Sequence, residues 1–198
     1  MRGISLRVLR RASVAAAVVS LGCGGRSSGP GTVPAVDESA LPPRPLGEVF
    51  VLEAAGAITD DTTVSVEGGA GRVVELRRPG PDYGLFARLV IPSGDSATPR
   101  GPVRITLRPR PGLFALDVDI QGTIGESARI EFSYGMHFVA PAGARERFGG
   151  DLQFEQALRL GRLEGDSQVV FLPTRRPGSD MVAAPLGLSG RYLVAAPR

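Results

Sequence analysis

Val103-Arg104-Ile105-Thr106-Leu107-Arg108 and Leu116-Asp117-Val118-Asp119-Ile120-Gln121 alternate apolar and polar residues strictly, on either side of Pro109-Arg110-Pro111-Gly112. A side-chain period of two belongs to a strand with one face buried and the other in water. Folding the two runs back on each other through the Pro-Gly turn sets Leu107 opposite Val118 and Ile105 opposite Ile120. The outward set then aligns Arg108 with Asp117, Thr106 with Asp119 and Arg104 with Gln121. Opposite charges placed across strands contribute about 0.2–1 kcal/mol per pair. Ala128-Arg129-Ile130-Glu131-Phe132-Ser133-Tyr134 repeats the design, with Ile130, Phe132 and Tyr134 facing inward.

The same grammar extends outward. Strands are expected at 48–53, 62–67, 72–77, 85–91, 102–108, 113–120, 128–134, 136–140, 151–160, 167–172, 181–185 and 191–196. Turns such as Gly68-Gly69, Pro79-Gly80-Pro81-Asp82, Pro92-Ser93-Gly94 and Pro177-Gly178 separate them. Short runs at this spacing predict an all-β fold, an antiparallel β-sandwich of immunoglobulin-like or related type, in one domain over 48–198. No long helix is expected after Gly47; 151–160 is the one segment that also reads as a weak helix.

Ahead of the domain the composition changes. Residues 24–47, GGRSSGPGTVPAVDESALPPRPLG, are rich in Gly, Pro and Ser and read with Cys23 as a tether over 23–47. Gly25-Arg26-Ser27-Ser28-Gly29 matches a hydrolase nucleophile elbow, but that motif needs a strand before it and a helix after it. Residues 1–22 begin with Arg2, Arg7, Arg10 and Arg11 and continue with an uncharged run from Ala12 to Gly22. That order is the layout of a secretory signal. Eleven residues are too few for a membrane span, which needs about 20. The end of the run, Leu21-Gly22-Cys23, resembles the lipobox of bacterial lipoproteins, with Ser20 where that family usually has Leu. The resemblance implies lipidation at Cys23, and Gly24 after it implies the outer membrane of the cell envelope. Several acyl chains, at about 0.8 kcal/mol per buried methylene, would anchor the chain firmly.

All 23 basic residues are Arg, and Cys23 is the only cysteine, so no disulfide forms within the chain. Once the four signal arginines are gone, 19 Arg face 20 acids, a net charge of −1. Such a balance gives no pull on nucleic acid. A second resemblance lies in Gly68-Gly69, Leu89-Val90-Ile91-Pro92-Ser93-Gly94 and the strand from Val103. These look like the β-sandwich domain of ankyrins, netrin receptors and bacterial surface proteins, with Asp95 where that family has Ala. It implies a sandwich used for interaction.

Candidate sites are few. His137, the single histidine, stands between Met136 and Phe138 and reads as structural. With no second His and no free Cys, the usual zinc sets are excluded. Asp117, Asp119 and Gln121, followed by Gly122, match the start of a calcium loop, but position twelve is Ala128 and the apolar alternation competes. Arg100, Arg104, Arg108 and Arg110 form a possible anion stripe, opposed by cross-strand acids. Tyr83 and Tyr192 are the tyrosines left for sugar stacking. No cofactor is expected. The reading is a lipid-anchored envelope protein whose sandwich is structural or binds another envelope protein. The alternatives are a ligand- or glycan-binding lipoprotein and, third, a hydrolase using a carboxylate pair. A pocket with converging Asp, Glu, Arg and His137 would favour the enzyme; a flat face or bare sheet edge would favour interaction.

Overall fold

The computed structural model describes residues 41–68, 70–81, 83–93 and 101–198. Cys23, the signal segment, most of the tether, Asp95 and Arg100 lie outside the described residues. The strands in chain order are β1 (Arg44–Pro45), β2 (Val49–Val51), β3 (Glu53–Ala54), β4 (Thr62–Val66), β5 (Arg72–Arg77), β6 (Leu85–Ile91) and β7 (Val103–Pro109). After them come β8 (Ala115–Gln121), β9 (Arg129–Ser133) and β10 (Phe138–Val139). Two short helices, α1 (Ala144–Phe148) and α2 (Asp151–Ala157), precede β11 (Arg159–Glu164), β12 (Gln168–Phe171), β13 (Met181–Pro185) and β14 (Gly190–Pro197).

The fold is an all-β sandwich of two antiparallel sheets. The larger runs β1-β12-β11-β14-β8-β7-β4, with β2 also on β14; the smaller runs β13-β9-β6-β5. A separate two-strand pair joins β3 to β10. The register of β7 on β8 follows the sequence: Ile105 faces Ile120, Leu107 faces Val118 and Arg108 faces Asp117. Ile105, Leu107, Leu116 and Val118 enter the core from one sheet, and Leu76, Leu89, Ile130, Phe132 and Val182 from the other. A bulge where Leu76 gives way to Arg77 shifts the β5–β6 register, and Phe86 and its neighbour Ala87 are both buried in the core. The Tyr192 hydroxyl donates to the carbonyl of Leu188, four residues upstream, at 2.7 Å, the corner that closes many Greek-key sandwiches.

Two expectations change. Residues 151–160 are not a strand: α2 takes 151–157 and β11 begins at Arg159. Leu152 and Phe154 alternate as in a strand, yet only Phe154 is buried, packed on Phe50, Phe138 and Phe148. The surrounding Leu, Gln, Glu and Ala are good helix formers, and none is β-branched. The β11 strand that follows carries Gly161 in its middle. A side chain there would place its Cβ 2.5 Å from Val169 Cγ1 on β12, so the glycine is a close approach, not a turn. Gly161→Ala is expected to cost about 1–3 kcal/mol through overpacking, read as a lower denaturant midpoint at unchanged slope.

Second, the folded body starts before Glu48. Pro45 and Arg44 pair with β12, and Leu41 and Leu46 pack on a second apolar cluster. That cluster (Val49, Ala115, Leu163, Val169, Phe171, Leu193, Ala195) lies on the face of the large sheet turned away from the main core. The end of the tether is therefore a strap over apolar surface that would otherwise face water.

Candidate functional site

The polar outer faces of both sheets are organised by a carboxylate held between two arginines. On the large sheet, Asp117 accepts from Arg191 Nε at 2.6 Å and lies 3.3 Å from Arg110 Nη1. Arg108, its partner across the strands, instead reaches Asp61 at 3.8 Å. Cross-strand register thus fixes which residues are neighbours, while side-chain reach decides the pairs. On the small sheet, Glu131 points outward between the inward Ile130 and Phe132, yet it is only 2% exposed. Its Oε2 accepts from Arg88 Nε at 2.8 Å and from Arg88 Nη2, and its Oε1 from Arg129 Nε at 2.7 Å.

Next to this clamp is a groove of about 480 Å³, lined by Glu126, Ser127, Arg129, Pro173, Arg175 and Pro185 among others. It lies where the chain leaving β12 crosses to β13. The backbone of Arg175 exchanges two hydrogen bonds of 2.8 Å with Ala183. A shallower cleft of about 270 Å³ on the large sheet contains Arg108, Asp117, Asp119, Asp166 and Arg191.

A second polar network sits under α2. Arg176 Nη2 donates to the carbonyls of Glu155 at 2.5 Å, Gln156 at 3.3 Å and Leu158 at 3.2 Å. It thereby satisfies the carbonyls that a helix leaves open at its C-terminus. Its Nη1 donates to the Tyr134 hydroxyl at 2.7 Å. That hydroxyl in turn lies 3.3 Å from Glu155 Oε1. Burial pushes the Tyr134 phenol up to about 12; the Arg176 charge opposes the rise and Glu155 adds to it. The folded state then holds a proton that the unfolded chain, with a phenol near its ordinary 10.0, releases earlier. Tyr134 consequently stabilises the fold fully below pH about 10, and that contribution drains away between about pH 10 and 12 at up to about 1.4 kcal/mol per pH unit. Tyr134→Phe is expected to flatten the fall in stability over that window in urea titrations. Tyr192, also raised by burial, leaves a residual slope.

The remaining candidates resolve as follows. Asp117, Asp119 and Gln121 lie on β8 as a strand and not as a loop, Asp117 being engaged by arginines. Among the described residues no three His, Cys, Asp or Glu side chains are grouped as a metal site. Tyr192 is buried and offers no stacking surface; Tyr83 is exposed, with a positive φ of 41°. His137 does not line the groove. Arg104 and Arg108 lie on β7, and Arg110 just beyond its end. What the sequence did not reveal is the meeting of Glu126, Arg129 and Arg175, which come from segments more than forty residues apart. Among the described residues no helix is long and apolar enough to cross a membrane. No family model, curated protein or solved structure matches the chain.

Proposed function

We propose that this is a lipid-anchored protein of the bacterial cell envelope whose sandwich docks an extended segment of another envelope protein. The observation that carries the reading is the β4 edge. Thr62-Thr63-Val64-Ser65-Val66 contains neither charge nor Pro, the devices that commonly protect an edge strand. Among the described residues no strand pairs with its outer side. An open ladder of this kind supports β-augmentation, in which backbone hydrogen bonds supply the affinity. β4 and β1 stand at opposite ends of the large sheet, six strand spacings or roughly 29 Å apart.

The anchor and the edge are tested separately. Cys23→Ala is expected to abolish labelling by a palmitate analogue and to release the protein from the membrane fraction. Unlabelled wild type, or identical processing and retention of the variant, defeats the anchor. A photo-cross-linking residue at Ser65 should capture an envelope protein, and Thr63→Pro should abolish that capture. Capture that is indifferent to Thr63→Pro, in a variant that still unfolds cooperatively, defeats the edge.

A further inference from the structure

We infer that the segment docked on β4 carries a glutamate between two β-branched apolar residues, and that this glutamate pairs with Arg104 across Ser65. This partner chemistry rests on the open β4 edge proposed above. It follows from the rows of outward side chains that run across β4, β7 and β8. Asp61, just before β4, pairs with Arg108 at 3.8 Å. In the next row the hydroxyls of Thr63 and Thr106 lie 3.1 Å apart. Both rows are closed within the domain. The third row sets Ser65 beside Arg104, with Gln121 beyond it on β8. It contains no acid, and the Gln121 amide donates to Asp119 at 3.4 Å. Asp119 is diagonal to Arg104 on β8, and Glu67 stands just past the end of β4. Among the described residues neither forms an ion pair with Arg104, which is exposed.

An added strand would lie about 4.8 Å outside β4 and so roughly 9.6 Å from β7. Its residue opposite Ser65 shares the outward face with Arg104, because paired residues project to the same side. A glutamate there meets the long arginine over the small Ser65 side chain, whereas a lysine brings a like charge to the same place. The two neighbours of that residue point the other way, toward Val64 and Val66. Val66 belongs to the main core, and Val64 packs on it while only partly buried. Valine or isoleucine at both neighbours covers Val64 and favours the extended backbone. A second copy of the chain fits less well. Paired antiparallel about Val64, it would set its own Thr63 opposite Ser65 and leave Arg104 without a carboxylate.

The test uses the full chain carrying Cys23→Ala, titrated calorimetrically with the peptide acetyl-Gly-Thr-Val-Glu-Val-Thr-Gly-amide and with its Gln and Lys counterparts at the central position. The Glu peptide should saturate with Kd below about 1 mM. It should bind about fivefold more tightly than the Lys peptide, a gap of about 1 kcal/mol, with Gln between them. Salt at 1 M, where the screening length falls to about 3 Å, should shrink that gap. Arg104→Glu should reverse the order of the Glu and Lys peptides, and Arg108→Gln should preserve it. Should Arg104→Glu fail to fold, Arg104→Gln must bring the two peptides within about twofold of each other. Peptides that all bind within about twofold on the unaltered Arg104, or a Glu preference that survives both Arg104 variants, overturn the glutamate and leave the open edge standing. Saturation by no peptide defeats the edge and the glutamate together. A chain that sediments as a dimer and takes up no peptide places a second copy on the edge and overturns the proposal.

Discussion

The double variant Arg88→Met/Arg129→Met will lose about 3–5 kcal/mol of folding stability, the cost of stripping the partners from a buried charge. Methionine keeps most of the length and apolar stem of each arginine, so Glu131 remains covered while both of its hydrogen-bonding cations disappear. For a domain held by about 5–15 kcal/mol in total, that is a large share. Adding Glu131→Leu should return most of the loss, because three apolar groups of similar volume no longer contain an uncompensated charge. Chemical denaturation of the wild type, the double and the triple variant measures the cycle. A double variant within about 1 kcal/mol of wild type would mean that water reaches Glu131 in solution.

Phe114→Ala is expected to cost a similar amount, about 3–5 kcal/mol. Phe114 is fully buried just before β8; its ring stacks on Phe86 at 5.7 Å and meets Tyr134 edge-on at 6.5 Å. It also lies under the Arg78 guanidinium, 5.3 Å from the ring centre. Arg78 is itself buried and donates to the carbonyls of Ala55 at 3.0 Å and Ala57 at 3.1 Å. Removing the ring therefore opens a cavity between the sheets and loosens the cation that ties down the segment before β4. A lowered denaturant midpoint should be accompanied by faster proteolysis around Ala55–Ala57. A loss of less than about 1 kcal/mol would show that the neighbouring rings collapse into the space.

Strand patterning in this chain is local, and the sequence expresses it directly. The β7–β8 hairpin follows from alternation on either side of one turn, because a one-residue slip would put Leu107 and Val118 in water. The inward set of β9 follows for the same reason. The misreading at 151–160 has a local cause as well: Leu152 and Phe154 imitate a period of two, whereas the helix propensity of their neighbours carries the true signal. Gly161 is different. Within its own segment it looks like a breaker, and only the side chain of Val169 on the adjacent strand explains it.

The candidate site was less legible. Arg129 and Glu131 are adjacent in pattern, but nothing local says that an outward-facing carboxylate will be buried. That burial depends on Arg88, forty-three residues away along the chain and opposite it across the sheet. The arginines around 104–110 show the same limit: Arg108 and Asp117 face each other in register, yet Asp117 is taken by Arg191 and Arg110.

By itself the sequence determined the all-β class, the central hairpin and its inward face, since alternation, turn residues and burial act over a few neighbouring positions. Only the tertiary structure decided which charges pair, how residues 41–47 strap a second apolar face, and that Glu126, Arg129 and Arg175 share one groove. Those outcomes depend on contacts between strands far apart in the chain, whose distances no local pattern encodes.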